Sequence, residues 1–111
     1  MNSRQKGARG ERELAEYLRS YGYEARRGQQ YSGANGDADV VGLPGFHIEC
    51  KRVEHLDLYG AVEQSARDAK ESAEIPIVCH RKDRREWLVT MKLNDFMGVI
   101  NEQRGNDRKT D

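Results

Sequence analysis

Residues 36–52 constrain the fold more than any other part of the 111-residue chain. Side chains of a β-strand alternate between the two faces of a sheet, and this stretch alternates on both sides of a glycine-flanked turn at residues 42–45. One set of positions is apolar or small: Ala38, Val40, Phe46, Ile48 and Cys50. The other set is nearly all polar: Asp37, Asp39, Val41, His47, Glu49 and Lys51. The pattern predicts two paired strands at about residues 37–41 and 46–52.

The two apolar sets also fix how these strands pair. A slip of one residue would send the apolar set of one strand to the opposite face of the sheet. A turn centred on Pro44 keeps both sets on one face, and it places Asp39 opposite Glu49 and Asp37 opposite Lys51. Directly opposed residues have Cβ atoms about 4.5–5.5 Å apart. The register therefore predicts two carboxylates close enough to repel each other.

A divalent cation would remove that repulsion. Mg²⁺ takes oxygen ligands and usually binds one or two carboxylates while it keeps several waters. Lys51 projects from the same face as Glu49, where it could contact a scissile phosphate or help to deprotonate a metal-bound water. Two acids, a lysine and a metal on one sheet face suit metal-assisted phosphodiester hydrolysis. The alternative is an exposed hairpin face that carries ordinary charged residues.

Hydrophobic periodicity, capping residues and glycines predict the other elements of the chain. Gly22 ends the first helix, and Asp57 and Asn94 cap the second and third. The first two helices are predicted over residues 8–21 and 58–72, and the third follows Asn94. The further strands are predicted at residues 23–26, 75–80 and 86–91, with a loop at 28–36 and a basic turn at 81–85. The small apolar face of the second helix suits close packing on a sheet: Leu58, Ala61, Val62, Ala66 and Ala69.

The resulting order, αβββαββα, predicts an α/β fold with a central mixed sheet flanked by helices. We expect a single domain over residues 1–111, with about 1–5 and 102–111 flexible. No run of twelve consecutive apolar residues exists, which excludes a membrane-spanning helix. Cys50 and Cys79 are too few for a disulfide scaffold and lack zinc spacing. The chain also opens without the apolar stretch of a secretory signal, so we expect a cytoplasmic protein with reduced thiols.

The balance of 19 basic and 19 acidic side chains hides an uneven distribution. Residues 1–36 and 76–93 are net basic, whereas residues 37–75 are net acidic. Two basic blocks around an acidic one would suit a polyanion-binding surface around a metal centre. The alternative is a mixed, solvated surface.

Asp39 followed by Glu49-Cys50-Lys51 resembles the PD-(D/E)xK nuclease motif, in which an acid precedes Glu-x-Lys across a hairpin. The first helix strengthens this likeness, because Lys6-Gly7-Ala8-Arg9-Gly10-Glu11-Arg12 resembles the Lys-Gly…Glu-Arg opening of archaeal-type Holliday junction resolvases. The glycine-rich loop, the Asp-Val-Val-Gly strand and a Gln-bearing second helix extend the match over most of residues 6–91. The whole chain looks like the small resolvase-like proteins of phages and prophages. The resemblance implies a restriction-endonuclease-like fold.

The resemblance also implies roles for individual residues. Asp39 and Glu49 would bind the metal, with the Cys50 carbonyl as a further ligand. Glu11 would contact the metal through water, Lys51 would be the catalytic lysine, and Gln64 would be the polar residue of the second helix near the site. Ala38 stands where the motif's name has proline. Asp37 is an additional acid, and opposition to Glu49 favours Asp39 over it as the ligand.

Six residues with hydrogen-bond donors are candidate DNA-binding residues, because contacts to phosphate supply most of the affinity of a protein for DNA. They are Arg12, Arg26, Arg27, Gln30, Ser32 and Arg52. Arg12 is either a phosphate contact or an i,i+4 partner of Glu16, and the loop that follows Arg27 either tracks a DNA backbone or is merely solvated. The basic turn at 81–85 is a second candidate contact. His47 is interpreted as a neighbour of the site, and His55 and His80 as surface residues.

By resemblance, the function is that of a Mg²⁺-dependent endonuclease that cuts branched DNA, with four-way junctions as the first choice of substrate. Mn²⁺ is expected to substitute for Mg²⁺. A homodimer is expected, since an isologous pair presents two sites for two symmetric cuts. The runner-up is a nuclease of flaps, nicks or duplex DNA. The third hypothesis is a DNA-binding module with a vestigial site, which the intact set of acids and lysine disfavours.

Overall fold

A computed structural model describes residues 3–29 and 38–109 of the chain. The helices are α1 (Ser3–Arg19), α2 (Leu58–Asp68) and α3 (Leu93–Lys109). The strands are β1 (Arg26–Arg27), β2 (Val40–Val41), β3 (Phe46–Arg52), β4 (Ile75–Arg81) and β5 (Leu88–Thr90). They form one sheet in the order β1-β2-β3-β4-β5, in which β3 and β4 are parallel and the other neighbours are antiparallel. The predicted order αβββαββα and the mixed sheet are confirmed.

The two faces of the sheet are covered by different helices. On one face, Leu14 and Ala15 of α1 form the core with apolar strand residues that include Val40 and Ile48. On the other face, α2 packs against β3 and β4. The strand β3 is therefore buried on both sides, and its polar set is no exposed hairpin face. Glu49 is only 4% exposed.

The helix α2 packs on the sheet through small residues. One of them, Ser65, is not predicted by hydrophobic periodicity. Ala61, Ser65 and Ala69 are buried at successive i,i+4 positions, whereas Val62 and Ala66 are only half-buried. The Ser65 hydroxyl lies 3.1 Å from the backbone carbonyl oxygens of both His47 and Ile77. A polar residue is tolerated in this interface because its hydroxyl is hydrogen-bonded.

Caps and turns define where the helices begin and end. Asp57 is the N-cap of α2, and its carboxylate accepts a hydrogen bond from Gly60 N at 3.0 Å. Gly22 follows α1 with a φ of +96°, and its N–H donates to Arg19 O at 2.9 Å. Both predictions are confirmed. Asn94 lies inside α3 and does not cap it, because Phe96 N already donates to Lys92 O at 3.0 Å.

Several boundaries differ from the sequence prediction. The strand β1 overlaps the predicted 23–26 segment only at Arg26, which pairs with Val41. The helix α1 begins earlier than predicted, at Ser3, and α3 extends to Lys109. The flexibility expected for residues 1–5 and 102–111 stays a prediction. None of the helices in the described residues is long and apolar enough to span a membrane.

Candidate active site

The hairpin register is the one predicted from the alternation of side chains. Val40 pairs with Ile48, and Asp39 N donates to Ile48 O at 3.0 Å. Asp39 therefore lies just before β2, at the position opposite Glu49. Its carboxylate turns towards β3 and accepts a hydrogen bond from Cys50 N at 2.9 Å. The prediction that these two acids meet across the hairpin is confirmed.

Glu49 is a buried carboxylate in an unfavourable electrostatic environment. The pKa of Glu49 is raised to about 7, first by burial and then by the charge of Asp39. Lys51 opposes both effects, because its Nζ lies 3.4 Å from Glu49 Oε1. A carboxylate this poorly stabilised by protein groups is one that a cation would stabilise.

Helix α1, on the opposite face of the sheet from α2, brings a third acid near Asp39. Its close approach to β3 depends on Gly10, where a Cβ atom would lie 2.9 Å from the Cβ of Arg52. The next residue, Glu11, accepts a hydrogen bond from Arg27 Nε at 3.0 Å. Burial raises the pKa of Glu11 and the charge of Asp39 adds to this, while Arg27 acts in the opposite direction. Glu11 is therefore within electrostatic range of Asp39.

The donor set fits a divalent cation of the Mg²⁺ type. Asp39 and Glu49 supply two carboxylates, which is the usual protein contribution to a Mg²⁺ site. Across residues 3–29 and 38–109, no group of three or more His, Cys, Asp and Glu side chains is placed to hold a metal ion. Waters and a backbone oxygen, such as the predicted Cys50 carbonyl, would therefore complete the coordination. Asp37 lies outside the described residues.

Lys51 and Gln64 lie on the α2 side of the site. Both line a cavity of about 410 Å³ between β3 and α2, together with His55, Leu56 and Asp57. The structure thus brings the predicted catalytic lysine and the predicted polar residue of the second helix to one cavity. Cys50 points to the opposite, core face. Burial raises the pKa of its thiol well above the usual range, which argues against a nucleophilic role.

Five of the six candidate DNA-binding residues fall into three groups. Arg12 and Arg26 are exposed, and no carboxylate of the described residues lies within ion-pair distance of Arg12, so its pairing with Glu16 is not formed. Arg27 is engaged by Glu11. Gln30 and Ser32 lie outside the described residues. The DNA contacts of all five residues stay predictions.

Arg52 occupies a position that the sequence does not suggest. Its Nε lies 2.7 Å from Glu13 of α1, and its Nη2 lies 3.1 Å from Asp83 in the 81–85 turn. The guanidinium thus ties α1 and this turn to the end of β3. A DNA-binding role for Arg52 stays a prediction, and the structure shows that two carboxylates already occupy its donors.

His80, expected at the surface from the sequence, lies beside Lys51 on the neighbouring strand. The parallel pairing of β3 with β4 makes His80 the register partner of Lys51. The ring is half-buried, its Nε2 lies 2.9 Å from Thr90 Oγ1, and burial lowers its pKa. No local sequence signal could have found this neighbour, because it depends on which strands pair in parallel.

The fold and the acid–acid–lysine hairpin define a nuclease of the PD-(D/E)xK class. A family model described as "Phage putative PDDEXK endonuclease" matches residues 2–110, and the chain belongs to this family. The resemblance drawn from residues 6–91 is therefore confirmed, and the chain is an endonuclease by family.

A solved structure supports the same class. The chain is similar to Hjc, a Holliday junction resolvase from the archaeal hyperthermophile Archaeoglobus fulgidus, with 27% sequence identity and a TM-score of 0.58. The match covers 78% of this chain and 72% of that chain. The restriction-endonuclease-like fold is confirmed by this likeness. A search of curated proteins found no match.

Proposed function

We propose that this endonuclease hydrolyses phosphodiester bonds in branched DNA, with the four-way Holliday junction as its substrate and a divalent cation as its cofactor. The observation that carries the proposal is the meeting of Asp39 with a buried Glu49 across the hairpin, with Lys51 3.4 Å from Glu49. Likeness to a Holliday junction resolvase supports the choice of substrate. Within this proposal the protein acts in the cytoplasm of a bacterial host.

Each residue of the site has a distinct part in the proposed reaction. Asp39 and Glu49 would hold Mg²⁺ or Mn²⁺, and the bound cation would polarise the phosphate and lower the pKa of a bound water. Lys51 places a positive charge beside these acids, where it stabilises negative charge that develops on the phosphate. Gln64, across the same cavity, can donate to a phosphate oxygen or orient a water. Water attacks phosphorus and gives up a proton, one P–O bond forms, and the bond to the leaving oxygen breaks as that oxygen takes up a proton.

We also propose a homodimer, because two symmetric cuts need two sites. The strand β5 exposes Leu88 and Val89, which are 59% and 60% exposed. The helix α3, the next element along the chain, carries three further exposed apolar residues at i, i+3 and i+4 spacing: Leu93, Phe96 and Met97. Exposed apolar residues that cluster on one element favour an interaction site. A second copy of the chain is the partner that the proposed reaction requires.

The test is cleavage of a labelled synthetic four-way junction, compared with linear duplex and single strand of matched sequence, in Mg²⁺ and in EDTA. Paired, Mg²⁺-dependent cuts near the branch point, with the duplex intact, are expected. A Glu49→Gln variant should lose cleavage while it binds the junction within a few fold of wild type. Equal cutting of duplex would overturn the junction specificity. Tight junction binding without any cutting would indicate a vestigial site.

A further inference from the structure

A cleft leads from the candidate active site to the basic turn at residues 81–85. The cavity that contains Lys51 and Gln64 shares His55 and Leu56 with a neighbouring cavity of about 720 Å³. The larger cavity is lined on its far side by the end of β4 and the turn, including His80, Lys82 and Arg85. We call the two adjoining cavities the α2-side cleft.

The turn is held in a fixed position relative to the catalytic strand. Asp83 accepts a hydrogen bond from Arg52 Nη2 at 3.1 Å, and Asp83 N donates to Glu54 Oε2 at 2.7 Å. Arg52 and Glu54 follow Lys51 closely along the chain, so both contacts join the turn directly to the segment that carries the catalytic lysine. A substrate contact made by this turn would therefore have a fixed position relative to Lys51.

The same contacts leave the cations of the turn available. Asp83 and Glu54 are both used in anchoring the turn. No carboxylate in the described parts of the chain lies within ion-pair distance of Lys82, Arg84 or Arg85. Glu86 also lines the larger cavity, and it leaves an excess of positive charge there. Unpaired cations on a concave surface attract phosphate.

The backbone of the turn supports a role beyond chain reversal. Arg84 has a φ of +60°, in the left-handed region that glycine and asparagine adopt at lower cost. Non-glycine residues in such conformations cluster at functional sites. The arginine at this position is one of four cations of the turn, with Arg81, Lys82 and Arg85.

We propose that the 81–85 turn is a phosphate-binding element that holds the DNA backbone as it leaves the catalytic site through the α2-side cleft, with Lys82 and Arg85 as the contacts. This inference rests on the proposed function, because it takes DNA as the substrate of the site. The proposed turn would add a surface that positions the DNA strand at Lys51, on the opposite side of the sheet from the helix α1.

The experiment measures binding to the four-way junction in the Glu49→Gln background, in EDTA, over a range of salt concentrations. Lys82→Ala/Arg85→Ala is compared with Arg67→Ala/Lys70→Ala, which removes the same charge from exposed positions that line neither cavity. Each lost phosphate contact lowers the slope of log K against log salt by about 0.9. We expect the turn variant to lose about 1–2 in slope and at least tenfold in affinity at low salt. The control variant should match its parent.

The outcomes separate the two proposals. If the parent binds the junction and the turn variant binds it like the control, the phosphate-binding turn is wrong and the proposed function stands. If the parent binds no DNA of any shape, both proposals fall. A second turn variant, Lys82→Gln/Arg85→Gln, must reproduce the loss of slope, and thermal unfolding must show that each variant is folded. Recovery of normal slope in the glutamine variant would overturn the inference.

Discussion

Glu49 is the residue whose surroundings say most about the site. A chain selected only for stability would avoid a 4% exposed carboxylate beside a second acid, because burying a charge without a full set of partners is costly. One lysine at 3.4 Å offsets this cost only in part, since the pKa remains raised. The remaining cost is what a bound cation would relieve.

The stability of the metal-free protein should therefore depend on pH through Glu49. Its pKa is about 7 in the folded protein and 4.5 in the reference state, so the folded state binds this proton more tightly than the unfolded state. Stability then falls as pH rises from about 4.5 through about 7. Glu49→Gln should stabilise the protein in EDTA at pH 8 and have little effect at pH 5, as measured by urea unfolding. Glu63→Gln, an exposed change on α2, is the control. An equal effect of Glu49→Gln at both pH values would contradict the assignment.

Lys51 should matter for the rate of the chemical step and not for folding. Lys51→Ala is expected to lower the single-turnover cleavage rate at saturating protein by about 10²–10³-fold, the loss typical of removing one group that stabilises transition-state charge. Because the side chain is partly exposed and its ion pair among the described residues is with Glu49 alone, the variant should remain folded, which a thermal unfolding transition checks. Lys70→Ala provides the matched control. An unchanged single-turnover rate would end the catalytic role of Lys51.

At the scale of elements, the hairpin could be predicted and its surroundings could not. Alternation of side chains restricts the register, and the Val40–Ile48 pair confirms it. The neighbours of β3 depend on α2 carrying the chain to a parallel strand, which no local pattern specifies. For this reason the pairing of Lys51 with His80 and the contacts of Arg52 were not foreseen. Ser65 was missed because periodicity counts apolar residues, and its burial depends on carbonyl acceptors from two strands.

The turn of the hairpin offers a test of how tightly the elements are packed. Gly42 has a φ of +109°, and a Cβ atom there would collide with the backbone carbonyl of Glu24. Gly45 has a φ of +87° with no atom within 4 Å of a Cβ. Gly45→Ala should cost about 1–2 kcal/mol in unfolding free energy from backbone strain alone. Gly42→Ala should cost more, because strain and collision add. Urea unfolding of both variants checks the order, and a smaller loss for Gly42→Ala would contradict this packing.

The whole molecule combines a stable scaffold with a locally unfavourable site. Helices cover both faces of the sheet. Strand β3, which contacts both α1 and α2, also carries Glu49 and Lys51. Local rules of patterning usually fail at functional sites, where stability is given up for chemistry. The fold class could be predicted from the order of the elements. The nuclease class could be predicted from the residues of one hairpin. The association of two copies depends on surfaces that only the folded chain displays.

The oligomeric state is the property of the whole molecule that is most directly tested. Light scattering after size-exclusion chromatography should give twice the chain mass of 12.7 kDa, because the proposed dimer buries the apolar residues of β5 and α3. Leu93→Glu/Met97→Glu places two charges on that face and should shift the mass towards one chain. Tyr59→Glu changes an 84% exposed residue on α2 and should leave the dimer intact.

The dissociated variant should make single, unpaired cuts in a junction, since each copy retains one complete site. A monomeric wild type at micromolar concentration would contradict the dimer, and a double variant that stays dimeric would show that another surface forms the interface.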